Sequence, residues 1–587
     1  VERLGPYQGW AVLALALGVR LCYLFEIDDG PLFRHPVVDA ETYARHAAAL
    51  AGGNWLGRGE GPFWQPPLYP YFLGVVKTLF PDAFWHAARL LQCLLGTLSC
   101  GLTWWLGRRF FSPGIALAAG LAAALYGPLI YHDGELLPAT LGTCLNLLGL
   151  ALLARGRWLG AGAALGLAGL AVAPSLVFAA AALGWIAAQG WKEGRALARA
   201  GLFALGVGLV LAPVGLRNYL VGGDAVLLSY NGGVNFYLGN NPDYERTVNI
   251  RPGWEWDDLV GMPLEAGIVR PGEKSRFFYA KAWEYIRSRP LDYLGLLCRK
   301  AWSFWQGDEP GRNQDVYYWR NHSVLLSGLL WKYGLAFPFG LVAPLALLGM
   351  GLAWRRREWL LPLLLAASHF AAATAFFVAD RYRLPAVPAL LLFAACGAGW
   401  LWEKRRPWAL AGAGVLLVLC NWNLPPMRME GDAAIHYNLG QAHAKEGRVA
   451  RARAEYAEAV RLDSTYWQAW LNLGSAEALL GRMGEAAEIF ARVARARPMQ
   501  LEAWMNLAHA RLALEQGQAA QEAYAAALAL PSPHRPRLYV ELMGLHLRAG
   551  DFGAAERVLA QAEGEYPQEA ARLAQLYGQM KAKVLGR

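Results

Sequence analysis

Charge is scarce in this sequence: Asp, Glu, Lys and Arg make up 17% of its 587 residues, against about a quarter in an ordinary soluble protein. That scarcity excludes a chain solvated along its whole length, and 56% hydrophobic residues ask for lipid as the solvent over much of it. Patterned cysteine is also lacking. Of seven, Cys22, Cys93, Cys100, Cys144, Cys396 and Cys420 fall in apolar runs and Cys298 stands alone. None shows CxxC or zinc-ligand spacing, so neither a disulfide framework nor a zinc site is implied. The net charge of +10 would suit nucleic acid, but the basic residues sit in short clusters between apolar runs, with no basic stripe among exposed aromatics. A nucleic-acid partner is thereby excluded. The first apolar run, Gly9 to Ile27, lacks a small-x-small cleavage site and continues into Asp28 and Asp29, so it reads as a retained span rather than a signal peptide.

What is present is a recurring apolar stretch. Stretches lie near residues 9–27, 84–107, 114–132, 137–154, 158–173, 175–189, 199–220, 333–353, 359–378, 384–402 and 408–424. Each approaches the ~20 residues that cross a ~30 Å hydrocarbon layer, which predicts about eleven spans. From Glu430 onward the composition turns to Ala, Glu, Arg and Gln, so a helical membrane body over 1–425 is expected to precede a soluble domain. With this span count five basic clusters share one face: Arg108 and Arg109; Arg155 and Arg157; Lys192, Arg195 and Arg199; Arg355 to Arg357; Lys404 to Arg406. The positive-inside rule makes that face cytoplasmic. The loops 28–85 and 221–332, the turn at Asp133 and Glu135, and Asp380 to Arg383 are then extracytoplasmic. An odd number of spans carries the C-terminal domain to the same side, the expected setting being a bacterial inner (cytoplasmic) membrane.

Offsetting the tail by 34 residues aligns Asn438, Asn472 and Asn506; Ala452, Ala486, Ala520 and Ala554; and Tyr456, Phe490 and Tyr524. The pattern resembles tetratricopeptide repeats: small alanines let two helices approach, an aromatic fills the gap beside them, and Gly447 or Gly481 turns the chain. Four repeats are predicted, from Ala433, Trp467, Leu501 and Arg535 (the third ending at His534), with 569–587 as a capping helix. Such arrays bind a protein or peptide on their concave face; a spacer or dimerisation surface is the alternative.

The candidate chemistry lies in the extracytoplasmic segments. The first loop reads Val37-Val38-Asp39-Ala40-Glu41-Thr42-Tyr43, then Phe63-Trp64-Gln65-Pro66-Pro67. Asp39 suits either a general base or the N-cap of the helical stretch that begins at Ala44. Glu135, before an apolar run, suits either a catalytic partner or an interfacial turn. Asp380-Arg381-Tyr382-Arg383 sets arginines on the face that basic residues usually avoid, and a planar guanidinium fits phosphate. Arg217 is a further phosphate candidate. Arg20, about 10 Å inside the first span at ~1.5 Å per residue, reads as a snorkelling side chain. Asn231, Asn235 and Asn240, in Asn-Gly-Gly and Gly-Asn-Asn-Pro contexts, suit turns and hydroxyl recognition alike. Trp254, Trp256, Trp302 and Trp305 suit stacking on sugars, with an interfacial belt as the default reading.

The order of these segments resembles the GT-C class of polyprenyl-phosphate-sugar glycosyltransferases, which includes protein O-mannosyltransferases and aminoarabinose transferases. The resemblance implies an all-α GT-C-like body of about eleven spans ahead of an α-solenoid of four repeats. It also implies Asp39 as catalytic carboxylate assisted by Glu135, and Arg381 with Tyr382 as the segment at the lipid phosphate; Arg383 and Arg217 are further phosphate candidates, and Tyr43, Asn231, Asn235 and Asn240 are candidates for sugar or acceptor contact. Where aminoarabinose transferases carry Lys before Pro-Pro, this chain has Gln65. The expected reaction is inverting transfer from a polyprenyl-phosphate sugar, the donor substrate, to a protein hydroxyl delivered by the repeats. A divalent metal on Asp39 with Asp133 or Glu135 is one option for a cofactor. An envelope oligosaccharide ligase or polymerase, or a non-catalytic membrane-anchored repeat scaffold, are the alternative readings.

Overall fold

The computed structural model describes residues 5–190, 195–312, 314–353, 356–425, 432–530 and 535–586. Lys192, Arg355, Glu430 and His534, used above, lie outside them. The chain divides into two compact units, Val1–Gly431 and Asp432–Arg587.

In the first unit each of the eleven apolar stretches contains a helix or a bent helix pair. Among the described residues five helices are long and apolar enough to cross a membrane: Tyr7–Ile27, Phe84–Phe110, Ala196–Leu220, Arg357–Ala375 and Asp380–Lys404. Pro113–Ala124 and Gly127–Gly134 make a sixth if counted together across their 47° bend. Shorter apolar helices run over Ala139–Ala154, Trp158–Ala171, Ser175–Gln189, Phe339–Ala353 and Pro407–Cys420. Helices in lipid associate through close packing, which small residues permit. A Cβ at Gly162 would lie 2.0 Å from the Phe203 carbonyl, and one at Gly206 would lie 2.2 Å from that of Leu159. The fifth and seventh spans therefore touch backbone to backbone.

The segment expected to open the eighth span at 333 is instead a two-stranded antiparallel ribbon, Trp331–Tyr333 with Leu335–Phe337, turning at Gly334 with φ of +72°. The helix begins after Pro338, at Phe339. The two long loops are mostly helical, with Val38–Ala51 and Leu68–Leu79 in the first and Gly232–Gly239, Trp254–Glu265, Pro271–Ser288 and Pro290–Trp305 in the second.

Arg20 does not snorkel. Its guanidinium is 1% exposed and Nε donates to Asp133 Oδ2 at 2.6 Å. A buried opposite charge outweighs the route to the interface, and sequence spacing could not show it because the partner lies 113 residues away. Thr140 Oγ1 donates to the other Asp133 oxygen at 2.7 Å.

The second unit is an α-solenoid of paired helices: Ala433–Lys445 with Val449–Leu462, Trp467–Leu479 with Met483–Ala496, Leu501–Ala513 with Gly517–Leu528, and Arg535–Arg548 with Phe552–Glu565. Ala570–Val584 follows. Ala452, Ala486, Ala520 and Ala554 are all buried. A Cβ at Gly440 would meet the Tyr456 ring at 2.5 Å, and one at Gly474 the Phe490 ring at 2.7 Å, so glycine on one helix opens the gap that the aromatic on the next fills. The turns at Gly447 and Gly481 have φ of +74° and +81°.

Candidate active site at the long-loop end of the membrane body

The first loop delivers Asp39 on the opening turn of Val38–Ala51. Asp39 is not the cap of this helix; Val37 takes that position, with no side-chain cap hydrogen bond. Val38 has φ of +54°, a left-handed conformation that costs a β-branched residue energy and marks the Asp39 backbone as held by its surroundings. Arg381 comes from the short helix Asp380–Arg383, fixed by two contacts of its neighbour. The Asp380 amide donates to the Pro310 carbonyl at 2.9 Å, and Asp380 Oδ2 lies 3.1 Å from His132 Nε2. From this seat Arg381 Nη1 donates to Asp39 Oδ2 at 2.9 Å. Gln65 Nε2 donates to Asp39 Oδ1 at 3.2 Å, and Nη2 of Arg381 reaches the Tyr382 hydroxyl at 3.4 Å.

These groups face a cavity of about 800 Å³. One wall is apolar and built from the spans, with Val172, Val177, Ala372, Phe376 and Phe377. Another part of the lining comes from the long loops and is polar and aromatic, with Trp64, Asn231, Asn235, Trp256 and Tyr279. Trp64 packs edge-on against Tyr230, their ring centroids 4.8 Å apart, and the amides of Tyr230 and Asn231 donate to the carbonyls of Phe63 and Trp64. The two loops thus hold one another by backbone hydrogen bonds.

Arg312, which sequence reasoning missed, lines this cavity too. Its guanidinium sits 4.5 Å from the centre of the Phe377 ring, and Nη1 is buried without a hydrogen-bond partner. Arg381 Nε is in the same condition. Burial, aided by Arg381, pulls the Arg312 pKa below the usual arginine value, against Tyr382 and Asp39. Tyr43, also on the cavity, has its pKa pushed up by burial and by Asp39. Arg312 stood alone in a loop with no neighbouring motif, and its nearness to Asp39 arises only through folding.

Several of the sequence-derived candidates are placed behind the cavity instead. Glu135 shares a small side pocket of about 20 Å³ with Asp39, Arg89, Arg312 and Arg381, and burial raises its pKa against the influence of Arg89. Arg383 pairs with buried Glu309 and donates to the carbonyls of Phe304, Gln306 and Asp308, so both terminal nitrogens are engaged inside the protein and only its buried Nε lacks a partner. Arg217 donates to the carbonyls of Leu56, Gly57 and Gly61, shaping the turn that precedes Pro62. Asn240 is buried, donating to the carbonyls of Phe236 and Ala375 and accepting from Lys300. Of the carboxylates considered for a divalent ion, Asp133 is committed to Arg20 and Thr140, apart from the side pocket that Asp39 and Glu135 share. Among the described residues no group of three His, Cys, Asp or Glu side chains is placed to hold a metal.

Comparison with known proteins agrees with this division of the chain. Residues 64–216 match the family model described as dolichyl-phosphate-mannose-protein mannosyltransferase. Residues 428–466, 437–499 and 505–570 match a tetratricopeptide repeat model. No curated protein matches. Among solved structures, the chain is similar at 17% identity to ArnT from Cupriavidus metallidurans bound to undecaprenyl phosphate, over 83% of this chain and 80% of that one, with a TM-score of 0.37. It is similar at 20% identity to MamA from Desulfovibrio magneticus RS-1, over 30% of this chain and 90% of that one, with a TM-score of 0.22. At these TM-scores no superposition of sites follows.

Proposed function

We propose that this chain, a glycosyltransferase-type membrane body with a tetratricopeptide domain, transfers a sugar from a polyprenyl-phosphate donor to a hydroxyl on the extracytoplasmic side of a bacterial inner membrane. The observation that carries the reading is the mixed lining of one cavity: apolar residues of the spans share it with Asp39, Arg381 and Arg312. An amphiphile with a long hydrocarbon tail and an anionic head satisfies both kinds of lining, and a soluble nucleotide sugar would leave the apolar residues unused.

In the proposed reaction the acceptor hydroxyl gives its proton to Asp39 while its oxygen attacks the anomeric carbon. The bond from that carbon to the phosphate oxygen breaks, and the electron pair leaves with the phosphate. The leaving phosphate gains negative charge, which the guanidinium groups of Arg381 and Arg312 stabilise, since both are already buried in the cavity wall. A single displacement inverts the anomeric centre. Trp64 and Trp256 offer faces, and Asn231 and Asn235 amides, to the sugar. Arg383, Arg217 and Asn240 support the walls, and Glu135 assists Asp39 from the side pocket.

The acceptor in this reading is a protein hydroxyl brought by the tetratricopeptide repeats, which the basic clusters assign to the same side as Asp39. Mass spectrometry of envelope glycoproteins from cells carrying the wild-type chain or Asp39→Asn tests the reading. Modified proteins present with the first and absent with the second are expected; identical profiles would overturn it.

A further inference from the structure

The cavity holds an imbalance of hydrogen bonding that points to an order of events. Arg381 Nε and Arg312 Nη1 are buried donors without acceptors, and both residues line the cavity. Buried guanidinium groups left unpaired carry a desolvation penalty that an anion relieves. Each terminal nitrogen of Arg381 already has one partner, Asp39 Oδ2 at 2.9 Å for Nη1 and the Tyr382 hydroxyl at 3.4 Å for Nη2. Asp39 Oδ1 in turn accepts from Gln65, so each oxygen of the carboxylate already holds one donor in this state. The oxygen that faces Arg381 takes an acceptor's proton only at the expense of that ion pair.

Resting on the assignment of this cavity to a lipid phosphate, we propose that Asp39 and the donor phosphate compete for Arg381, so that the carboxylate is released for proton transfer only once the donor is seated. Arg312 provides the first contact, because it has a free buried N–H and no carboxylate to leave. The seated phosphate then offers Arg381 a doubly accepting partner, and the fork turns from Asp39 toward it. Donor binding thereby precedes activation of the base, and an acceptor that arrives first meets a carboxylate still held by Arg381.

The test measures binding of undecaprenyl phosphate to the full-length protein in nanodiscs, for wild type, Asp39→Asn, Arg381→Gln and the double variant. The exchange predicts that Asp39→Asn, though without transfer activity, binds the lipid more tightly than wild type by about five-fold, the factor expected for freeing a half-buried ion pair. Asp39→Ser should give the same gain. Removal of a negative charge near the phosphate would also strengthen binding, and the double variant separates the two causes. If Asp39 acts by holding Arg381, its substitution adds nothing once Arg381 is Gln. If it acts by repulsion, the gain persists, and the exchange is overturned. Binding by wild type with no gain in Asp39→Asn also overturns the exchange while leaving the cavity assignment standing. Failure of every form to bind the lipid overturns both.

Discussion

Replacing Arg20 by Leu would leave Asp133 without its counter-charge inside the membrane body, where the two side chains are 1% and 3% exposed and 2.6 Å apart. Removing one member of a buried ion pair costs about 3–5 kcal/mol, because the partner's desolvation is no longer compensated. Thr140 still donates to Asp133 at 2.7 Å and returns part of that, which places the expected loss at roughly 3 kcal/mol. Replacing both, as Arg20→Leu with Asp133→Leu, removes the buried charge altogether and should cost about half as much or less. Thermal unfolding in detergent, followed through tryptophan fluorescence, should rank wild type above the double variant and the double above the single. The effect should reach the site, since the Asp133 and Glu135 carbonyls are held by Gln92 Nε2 at 3.0 and 2.7 Å, and His132 supports Asp380 beside Arg381. A single variant as stable as wild type, or a double no better than the single, would refute the reasoning.

Arg217→Gln should loosen the turn at 56–61, at a local cost of about 2 kcal/mol for three charge-assisted bonds to carbonyls. Faster proteolysis within that segment, with lipid-phosphate affinity within about two-fold of wild type, is the expected outcome. In the third repeat Glu515 occupies the place of Gly447 and Gly481 with φ of +62°. Glu515→Gly should therefore stabilise the turn by roughly 0.5–1 kcal/mol, read as slower hydrogen exchange over 501–528. A cysteine placed on an exposed repeat position in the chain should be labelled by an impermeant maleimide in intact spheroplasts, whereas labelling only after lysis would contradict the assigned side.

Periodic features were legible in the sequence because periodicity is local. The apolar stretches each correspond to a helix or bent pair, and the 34-residue spacing of Ala452, Ala486, Ala520 and Ala554 reappears as buried contacts. Features that depend on two distant segments were not legible. Arg20 and Asp133 lie 113 residues apart, Asp39 and Arg381 342 apart, and only folding shows that the first pair is a membrane-buried bridge and the second faces a cavity. Arg381 and Arg383 read alike as neighbours in one motif, yet the short helix that carries them turns one toward Asp39 and the other into the protein against Glu309. Arg312 had no motif to announce it. The asparagine-rich loop divides in the same way: Asn231 and Asn235 line the cavity, whereas Asn240 ties down Lys300 and the end of the ninth span.

Photocrosslinking with a polyprenyl phosphate that carries a diazirine next to its head group addresses the donor site most directly. Peptide mapping should place the label on the segments around 64–66, 228–235, 312 and 372–382, and unlabelled undecaprenyl phosphate should compete it away. Labelling confined to the lipid-facing surfaces of the spans, or unaffected by the competitor, would contradict a donor site at Asp39, Arg381 and Arg312.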